Sequence, residues 1–214
     1  NRVGRNPING FTQMIPVGYA YTVPFKESCP EALLQHVWMN EGAYWSTAQS
    51  CYQPVCMPQD DDQGMFYLEP FLAKENNLLL SGKILIPESD KVGLSFYYCG
   101  TTDDLFDLAP TVRIPSGETY YLTEPIHTNS VGTGWQRVFV SLAQFKGKVV
   151  QVGVNVNARS QQDYFLLDNI EVREFLGHDV AVAGLTTPAT MTVGVDNKVT
   201  ATITNMRTHD ADNI

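Results

Sequence analysis

The sequence has little positive charge and no long hydrophobic run. It carries 14 Lys and Arg against 23 Asp and Glu, which gives a formal net charge of −9. Basic residues are nowhere clustered. Because binding to nucleic acid depends on basic groups that displace counterions, this composition excludes a nucleic-acid-binding protein. No apolar run reaches the roughly 18–20 residues that cross a bilayer as a helix, so no transmembrane segment is predicted.

The motifs of several enzyme classes are also missing. The sequence contains no Gly-x-Ser-x-Gly nucleophile elbow, no phosphate-binding loop and no dinucleotide-binding glycine pattern. No Glu-x-Asp-x-Glu strand of the kind found in jelly-roll glycan hydrolases is present. Catalytic triads and carboxylate pairs assemble in space rather than in sequence, so a glycan-active enzyme stays open as an alternative.

Cysteines and histidines show no metal-binding spacing. The sequence has neither a Cys-x-x-Cys pair nor closely spaced histidines, which argues against zinc. An even number of cysteines fits disulfides in an oxidising compartment, and the segment from Cys51 to Cys56 can close a small loop. Spacing does not fix the connectivity, and four unpaired thiols are an equal alternative. The cysteines are Cys29, Cys51, Cys56 and Cys99.

The content of charged residues, 17%, is low for an intracellular protein and favours an extracellular one. The chain begins at Asn1 without a signal peptide and stops at Ile214 within a strand-like pattern. We interpret it as a piece of a longer secreted or cell-surface protein.

The dominant pattern is the alternation of apolar and polar residues, which is typical of β-strands with one buried face. Only the residues around 30–38 suggest a helix, with Pro30 in its first turn. Many strands and almost no helix predict a β-sandwich or barrel. Predicted strands lie within 67–72, 77–86, 92–98, 137–142, 150–157 and 164–172.

A change of pattern near residues 175–178 predicts a domain boundary. Residues 19–175 form the predicted main domain, and residues 1–18, rich in Asn, Gly and Pro, are predicted to be a linker or edge segment. Residues 179–214 show a second series of strands. This series is too short to close a sandwich alone, so it is predicted to be part of a second β-sandwich module.

Residues 134–150 contain a Trp-x-x-x-x-Val-x-Leu strand and a Gly-Lys turn, and residues 163–172 contain Leu-Asp-Asn-Ile. These two segments resemble the closing half of the cleaved-adhesin family, known from gingipain-type adhesin regions, and of MAM-type jelly rolls. Upstream, Pro24-Phe-Lys-Glu27 is similar to the opening strand, and Leu68-Glu-Pro-Phe-Leu72 is similar to the strand before the first long core strand. The resemblance covers roughly residues 19–174.

The resemblance implies a jelly-roll β-sandwich that binds rather than catalyses. It would be an adhesion or accessory domain of a larger bacterial surface or secreted protein, such as a secreted peptidase, and would bind host protein or glycan. The segment from Asp179 is similar to the start of CARDB-type or fibronectin-like, Ig-like modules. A purely structural spacer is a further alternative, because fold does not specify function.

Asp168 is the most informative single residue. The alternation places it on one face with Leu166, Ile170 and Val172, which we expect to be the core face. A buried carboxylate is costly unless a cation, an Arg or several backbone donors compensate it. The resemblance implies a structural Ca²⁺ at Asp168 that is shared with Glu27. The alternative is an Asp that ties two strands together by hydrogen bonds.

Aromatic residues supply the candidate ligand-binding surface. Flat apolar rings with polar neighbours stack on sugars. Trp45 and Tyr97 are the predicted ligand-binding residues, whereas Tyr98 and Trp135 are in phase with core strands and are predicted to be structural. The alternative for every aromatic residue is core packing.

Overall fold

The computed structural model describes residues 6–7, 19–42, 45–52, 55–60, 64–69, 76–99, 106–128, 134–158, 164–175, 180–186 and 200–205. Apart from two short 3-10 turns, Pro30–Ala32 and Ala143–Phe145, the regular structure in these ranges is β. The strands are β1 (Asn6–Pro7), β2 (Tyr21–Thr22), β3 (Phe25–Glu27), β4 (Trp38–Glu41), β5 (Trp45–Ala48), β6 (Cys51–Tyr52), β7 (Val55–Cys56), β8 (Met65–Leu68), β9 (Asn77–Ser81), β10 (Ile84–Leu85), β11 (Val92–Cys99), β12 (Phe106–Arg113), β13 (Thr119–Tyr121), β14 (Ile126–His127), β15 (Trp135–Ser141), β16 (Val149–Ala158), β17 (Phe165–Glu174), β18 (Val180–Thr186) and β19 (Thr200–Asn205).

A seven-stranded antiparallel sheet carries the candidate site. Its order is β1-β5-β8-β17-β11-β15, and β3 also pairs with β17. Two short strands therefore share one edge of β17: β8 pairs with residues 165–167 and β3 pairs with residues 170–172. Residues 168 and 169 lie between these two ladders.

An eight-stranded sheet forms the other layer. Its order is β13-β12-β16-β10-β2, with β14 on β12 and with β9 joining β16 to β4. The alternating valines of β16 and of β15 face the space between the two sheets. That core also contains Phe25, Trp38, Phe66, Phe96, Phe106 and Phe165. The predicted all-β, two-layer fold of jelly-roll type is confirmed.

The helix predicted around residues 30–38 is wrong. Only the turn Pro30–Ala32 is helical, and Glu31 and Ala32 have φ angles of 52° and 60°, which a right-handed helix does not allow. The backbone N–H groups of Gln35 and His36 are taken by the Glu27 carboxylate instead of by helical carbonyls. A buried acidic side chain thus outcompetes the local helical pattern.

A glycine allows this turn to pack against the sheet. A Cβ atom on Gly64 would lie 1.7 Å from the Cys29 carbonyl oxygen and 2.6 Å from the Ala32 nitrogen. Both neighbours are backbone atoms, so neither can move aside cheaply. The start of β8 therefore requires glycine at position 64.

The described residues nearest to both ends of the chain form strands. Asn6–Pro7 pairs with Ser46–Thr47 at the edge of the seven-stranded sheet, and the assignment of residues 1–18 as a linker or edge segment stays a prediction. In the predicted second module, β18 and β19 form an antiparallel pair, and its identity as an Ig-like module stays a prediction.

Among the described residues, no helix combines the length and hydropathy of a membrane span.

Candidate functional site

The candidate site is a pocket of about 260 Å³ on the outer face of the seven-stranded sheet. Alternation along β11 creates it, because Leu94, Phe96 and Tyr98 enter the core and leave Ser95 and Tyr97 facing outwards. Strands β3, β15 and β17 contribute their outward side chains in the same way. The lining residues are Lys26, Gln59, Asp60, Ser95, Tyr97, Arg137, Asn169 and Glu171.

A β-bulge in β17 lies beneath this pocket. The register passes from Ser95 opposite Glu171 to Tyr97 opposite Asp168, so one residue more is used on β17 than on β11. Asn169 has a φ of 48°, a left-handed conformation that Asn tolerates better than most residues. Before the bulge the odd-numbered residues Phe165 and Leu167 face the core. After the bulge the even-numbered residues Ile170 and Val172 face it.

The bulge places Asp168 on a different face of the sheet from the one predicted. Its burial is confirmed, since the residue is 0% exposed. The prediction that it shares the core face with Ile170 and Val172 is wrong. Asp168 lies opposite Tyr97 on the outer side of the sheet, where Leu166 belongs to a separate small apolar cluster.

Asp168 is held by backbone donors. Its Oδ2 accepts a hydrogen bond from the Gln59 backbone at 2.8 Å, and its Oδ1 accepts one from the Asn169 backbone at 2.6 Å. The Asn169 side chain donates in turn to Gln59 Oε1 at 2.6 Å. Burial raises the pKa of Asp168 to about 7 although these two backbone donors lower it; the charge of Asp60 raises it further. Asp168 thus ties the segment at Gln59 to β17.

Glu27 is a fully buried hydrogen-bond acceptor. Its carboxylate receives the backbone N–H groups of Cys29, Gln35 and His36 at 2.9–3.2 Å. The indole Nε1 of Trp38 donates to Oε2 at 3.0 Å, and His36 Nδ1 lies 3.3 Å from the same oxygen. A carboxylate has about four lone-pair positions, so these contacts occupy it.

A Ca²⁺ ion shared by Glu27 and Asp168 does not fit this arrangement, because Glu27 already faces a full set of N–H donors. Within the described ranges, no group of three or more His, Cys, Asp or Glu residues is placed to hold a metal ion. Burial, followed by the charges of Glu27, Asp168 and Asp60, raises the pKa of the Cys29 thiol well above its usual range, so this thiol stays protonated. Stabilisation of the protein by calcium stays a prediction.

The two predicted ligand-binding aromatics have different environments. Trp45 is 0% exposed, and its ring packs edge-on against Phe165 at a centroid distance of 6.3 Å. The prediction that Trp45 offers a ligand an accessible face is therefore wrong, because β5 turns this side chain into the core. Tyr97 is half-buried and lines the pocket, and its role in binding stays a prediction.

Sequence reasoning did not single out Arg137, which lies opposite Tyr97 on β15. Its guanidinium carbon is 5.6 Å from the centre of the Tyr97 ring, and one Nη donates to Ser95 Oγ at 3.3 Å. The Nε atom of Arg137 and the Oδ1 atom of Asn169 are buried without a hydrogen-bond partner. The sequence pattern shows only that Arg137 alternates with core residues. Its contact with Tyr97 depends on how β15 pairs with β11.

A disulfide anchors the segment that supplies Gln59 and Asp60 to the site. Cys56 is bonded to Cys99, whereas Cys51 lies opposite Cys56 in the β6–β7 pair, so the small loop considered from the sequence is not the one closed. The Trp135 indole adds a hydrogen bond of 2.8 Å to the Met57 carbonyl. Both contacts hold the segment that supplies Gln59 and Asp60 against β11 and β15.

Comparison with known proteins finds likeness in fold. No protein-family model matches the chain, and no curated protein sequence matches it. A cleaved adhesin domain of Lys-gingipain superposes with a TM-score of 0.53 and 14% identity, covering 70% of this chain and 99% of that one. Another such domain, from Porphyromonas gingivalis, gives a TM-score of 0.51 and 17% identity over 72% of this chain and 99% of that one. A xylan-binding domain from Paenibacillus barcinonensis gives 0.49 and 14%, over 73% and 97%. The chain has the jelly-roll fold of the adhesin domains.

Proposed function

We propose that this chain is a non-catalytic binding module of an extracellular protein and that the pocket at Tyr97 takes one sugar unit of a glycan. The observation that carries the proposal is the pairing of an aromatic ring with two buried polar atoms that lack partners, Arg137 Nε and Asn169 Oδ1. Unsatisfied buried polar atoms are costly. A sugar hydroxyl both donates and accepts, so a bound sugar can hydrogen-bond to the Arg137 and Asn169 side chains while it lies against the Tyr97 ring.

The size and rigidity of the pocket support this proposal. Its volume of about 260 Å³ lies just below the range of roughly 300–1,000 Å³ typical of drug-sized ligands. Most of its lining comes from strands rather than loops. The fold is shared with domains called adhesins, but fold does not specify function, so the proposal depends on the pocket itself.

The carboxylates around the pocket favour binding over catalysis. Asp60 lies 3.6 Å from Lys26, and Glu171 lies 3.3 Å from Arg173, so both are paired with cations. Asp168 has the raised pKa that a general acid needs, but it is fully buried and does not line the pocket. A glycan-active enzyme requires a carboxylate with access to the substrate.

The disulfide bears on where the protein is located. The Cys56–Cys99 disulfide supports a secreted or cell-surface location, because such bonds persist in oxidising compartments. We propose a larger bacterial surface or secreted protein as the parent chain. Host protein is the alternative ligand, and a structural spacer is the alternative role.

A glycan array followed by calorimetric titration of the best ligand tests the proposal. Tyr97→Ala should weaken binding about 5- to 150-fold, since the loss of an aromatic stacking platform removes about 1–3 kcal/mol. The matched control is Tyr121→Ala, because Tyr121 is 57% exposed on the other sheet. Binding of no glycan would favour the spacer, and an equal loss in both variants would place the ligand elsewhere.

A further inference from the structure

The charges at the pocket are paired, with one exception. Lys26 faces Asp60, and Glu171 faces Arg173. The Arg137 guanidinium donates to the Ser95 hydroxyl and lies over the Tyr97 ring, and both of these groups are neutral. Within the described part of the chain, Arg137 has no carboxylate partner.

The unpaired guanidinium is also short of hydrogen bonds. It has five N–H donors, and the Ser95 hydroxyl takes one of them. The Nε–H is buried without an acceptor. A carboxylate or sulfate group can bind the two Nη atoms at the end of the guanidinium with parallel hydrogen bonds, which a single hydroxyl cannot do.

The surface as a whole does not attract anions. The net charge of −9 opposes their approach, and exposed charges are screened beyond a Debye length of about 8–10 Å. A preference for acidic ligands must therefore arise locally, at Arg137. This separates the effect from unspecific electrostatic binding.

We infer that the pocket selects an acidic sugar and that Arg137 binds its carboxylate or sulfate group while the sugar ring lies against Tyr97. This inference rests on the proposed function, since it names the ligand class of the same pocket. The shared chemistry is a planar or tetrahedral oxyanion attached to a sugar, from either a uronic acid or a sulfated sugar.

The experiment uses matched pairs of glycans on one array: uronate oligosaccharides beside their methyl esters, and sulfated oligosaccharides beside their desulfated forms. We expect the acidic member of at least one pair to bind ten times more tightly than its neutral partner. The two types of pair distinguish carboxylate from sulfate. Equal binding of both members, or binding only of glycans outside these pairs, would overturn this inference but leave the proposed function. Binding of no glycan on the whole array would overturn the proposed function itself.

Variants assign the preference to one side chain. Arg137→Gln should reduce the acidic-to-neutral preference to about onefold, and Arg137→Lys should retain only part of it, because a point charge lacks the paired donors. The control is Arg113→Gln, which removes the same charge from the eight-stranded sheet, where both Nη atoms contact Glu41. A preference that survives in Arg137→Gln, or falls equally in Arg113→Gln, would overturn the assignment. Melting temperatures of the variants separate misfolding from loss of selectivity.

Discussion

Asp168 lies opposite Tyr97 at the end of the β-bulge, so that a buried carboxylate and a half-buried ring occupy the same face of adjacent strands. The bulge is what allows this. Without it, the alternation that brings Ile170 into the core would also turn Asp168 inwards. The feature that interrupts β17 therefore creates the floor of the pocket and keeps the carboxylate out of the sandwich core.

The first prediction concerns the pH dependence of stability. Burial raises the pKa of folded Asp168 from 3.8 to about 7, so the folded protein holds a proton that the unfolded chain releases. This contribution is fully present below about pH 4 and is lost as the pH rises through 7, by at most about 4 kcal/mol. Denaturant unfolding from pH 4 to 8 should show Asp168→Asn gaining stability relative to wild type as the pH rises. The same gain in Asp90→Asn, at a carboxylate that is 61% exposed, would contradict this explanation.

The second prediction concerns Glu27. Glu27→Gln places an amide group among N–H donors that the carboxylate accepts, so we expect a loss of about 3 kcal/mol in the free energy of unfolding. The loss should be equal in Ca²⁺ and in EDTA, because the carboxylate is already occupied. Glu31→Gln, at an exposed position in the adjacent turn, is the control and should be nearly neutral. A loss seen only in the presence of Ca²⁺ would instead support a metal ion at Glu27.

The third prediction separates the two aromatic residues. Trp45→Ala removes a fully buried ring and should lower the free energy of unfolding by about 3–5 kcal/mol, while the folded fraction still binds ligand. Tyr97→Ala should lower stability much less and weaken binding. Thermal unfolding and calorimetry on the same samples give both quantities. If folded Trp45→Ala loses ligand affinity as severely as Tyr97→Ala, the assignment of these two roles is wrong.

The fourth prediction concerns the disulfide. Proteolysis without reduction should yield a peptide that links Cys56 to Cys99. The double substitution of both cysteines by Ser should lower stability by about 2–4 kcal/mol, because the bond closes a loop with a sequence separation of 43. It should also weaken ligand binding, since the segment with Gln59 loses an anchor. Cys51→Ser should leave the linked peptide in place, and a Cys51–Cys56 link would refute this pairing.

Much of the sandwich could be predicted because its long strands alternate without interruption. Strands β11, β15 and β16 follow the period-two pattern closely, and their core residues were predicted correctly. Strand β12 was not predicted, since Pro110 disfavours a central strand. In the structure the Pro110 carbonyl accepts from Leu122. The missing N–H faces that same side, near the change from β13 to β14, so no ladder hydrogen bond is lost there.

The site could be predicted only in part, because long-range contacts assemble it. Asp168 stands out by its charge within an apolar strand, and Tyr97 by its outward phase. No local sequence pattern predicts the bulge. Arg137 becomes a candidate binding residue only because strand pairing places it opposite Tyr97. The prediction for Trp45 was wrong because a strand of only four residues, Trp45–Ala48, is too short for alternation to show which of its sides faces the core.

The division of one edge of β17 between two short strands also determines how the domain responds to tension. The chain enters β3 at Phe25, which pairs with Val172, and it leaves β17 at Glu174, so both load points lie at the same end of the ladder. A pull applied at Phe25 and Glu174 therefore opens this ladder one residue pair after another, from Phe25 towards Glu27. In a shearing arrangement all pairs would resist together. We therefore expect the short ladder of β3 to yield to such a pull before the ladder between β8 and β17, which holds the other part of the edge.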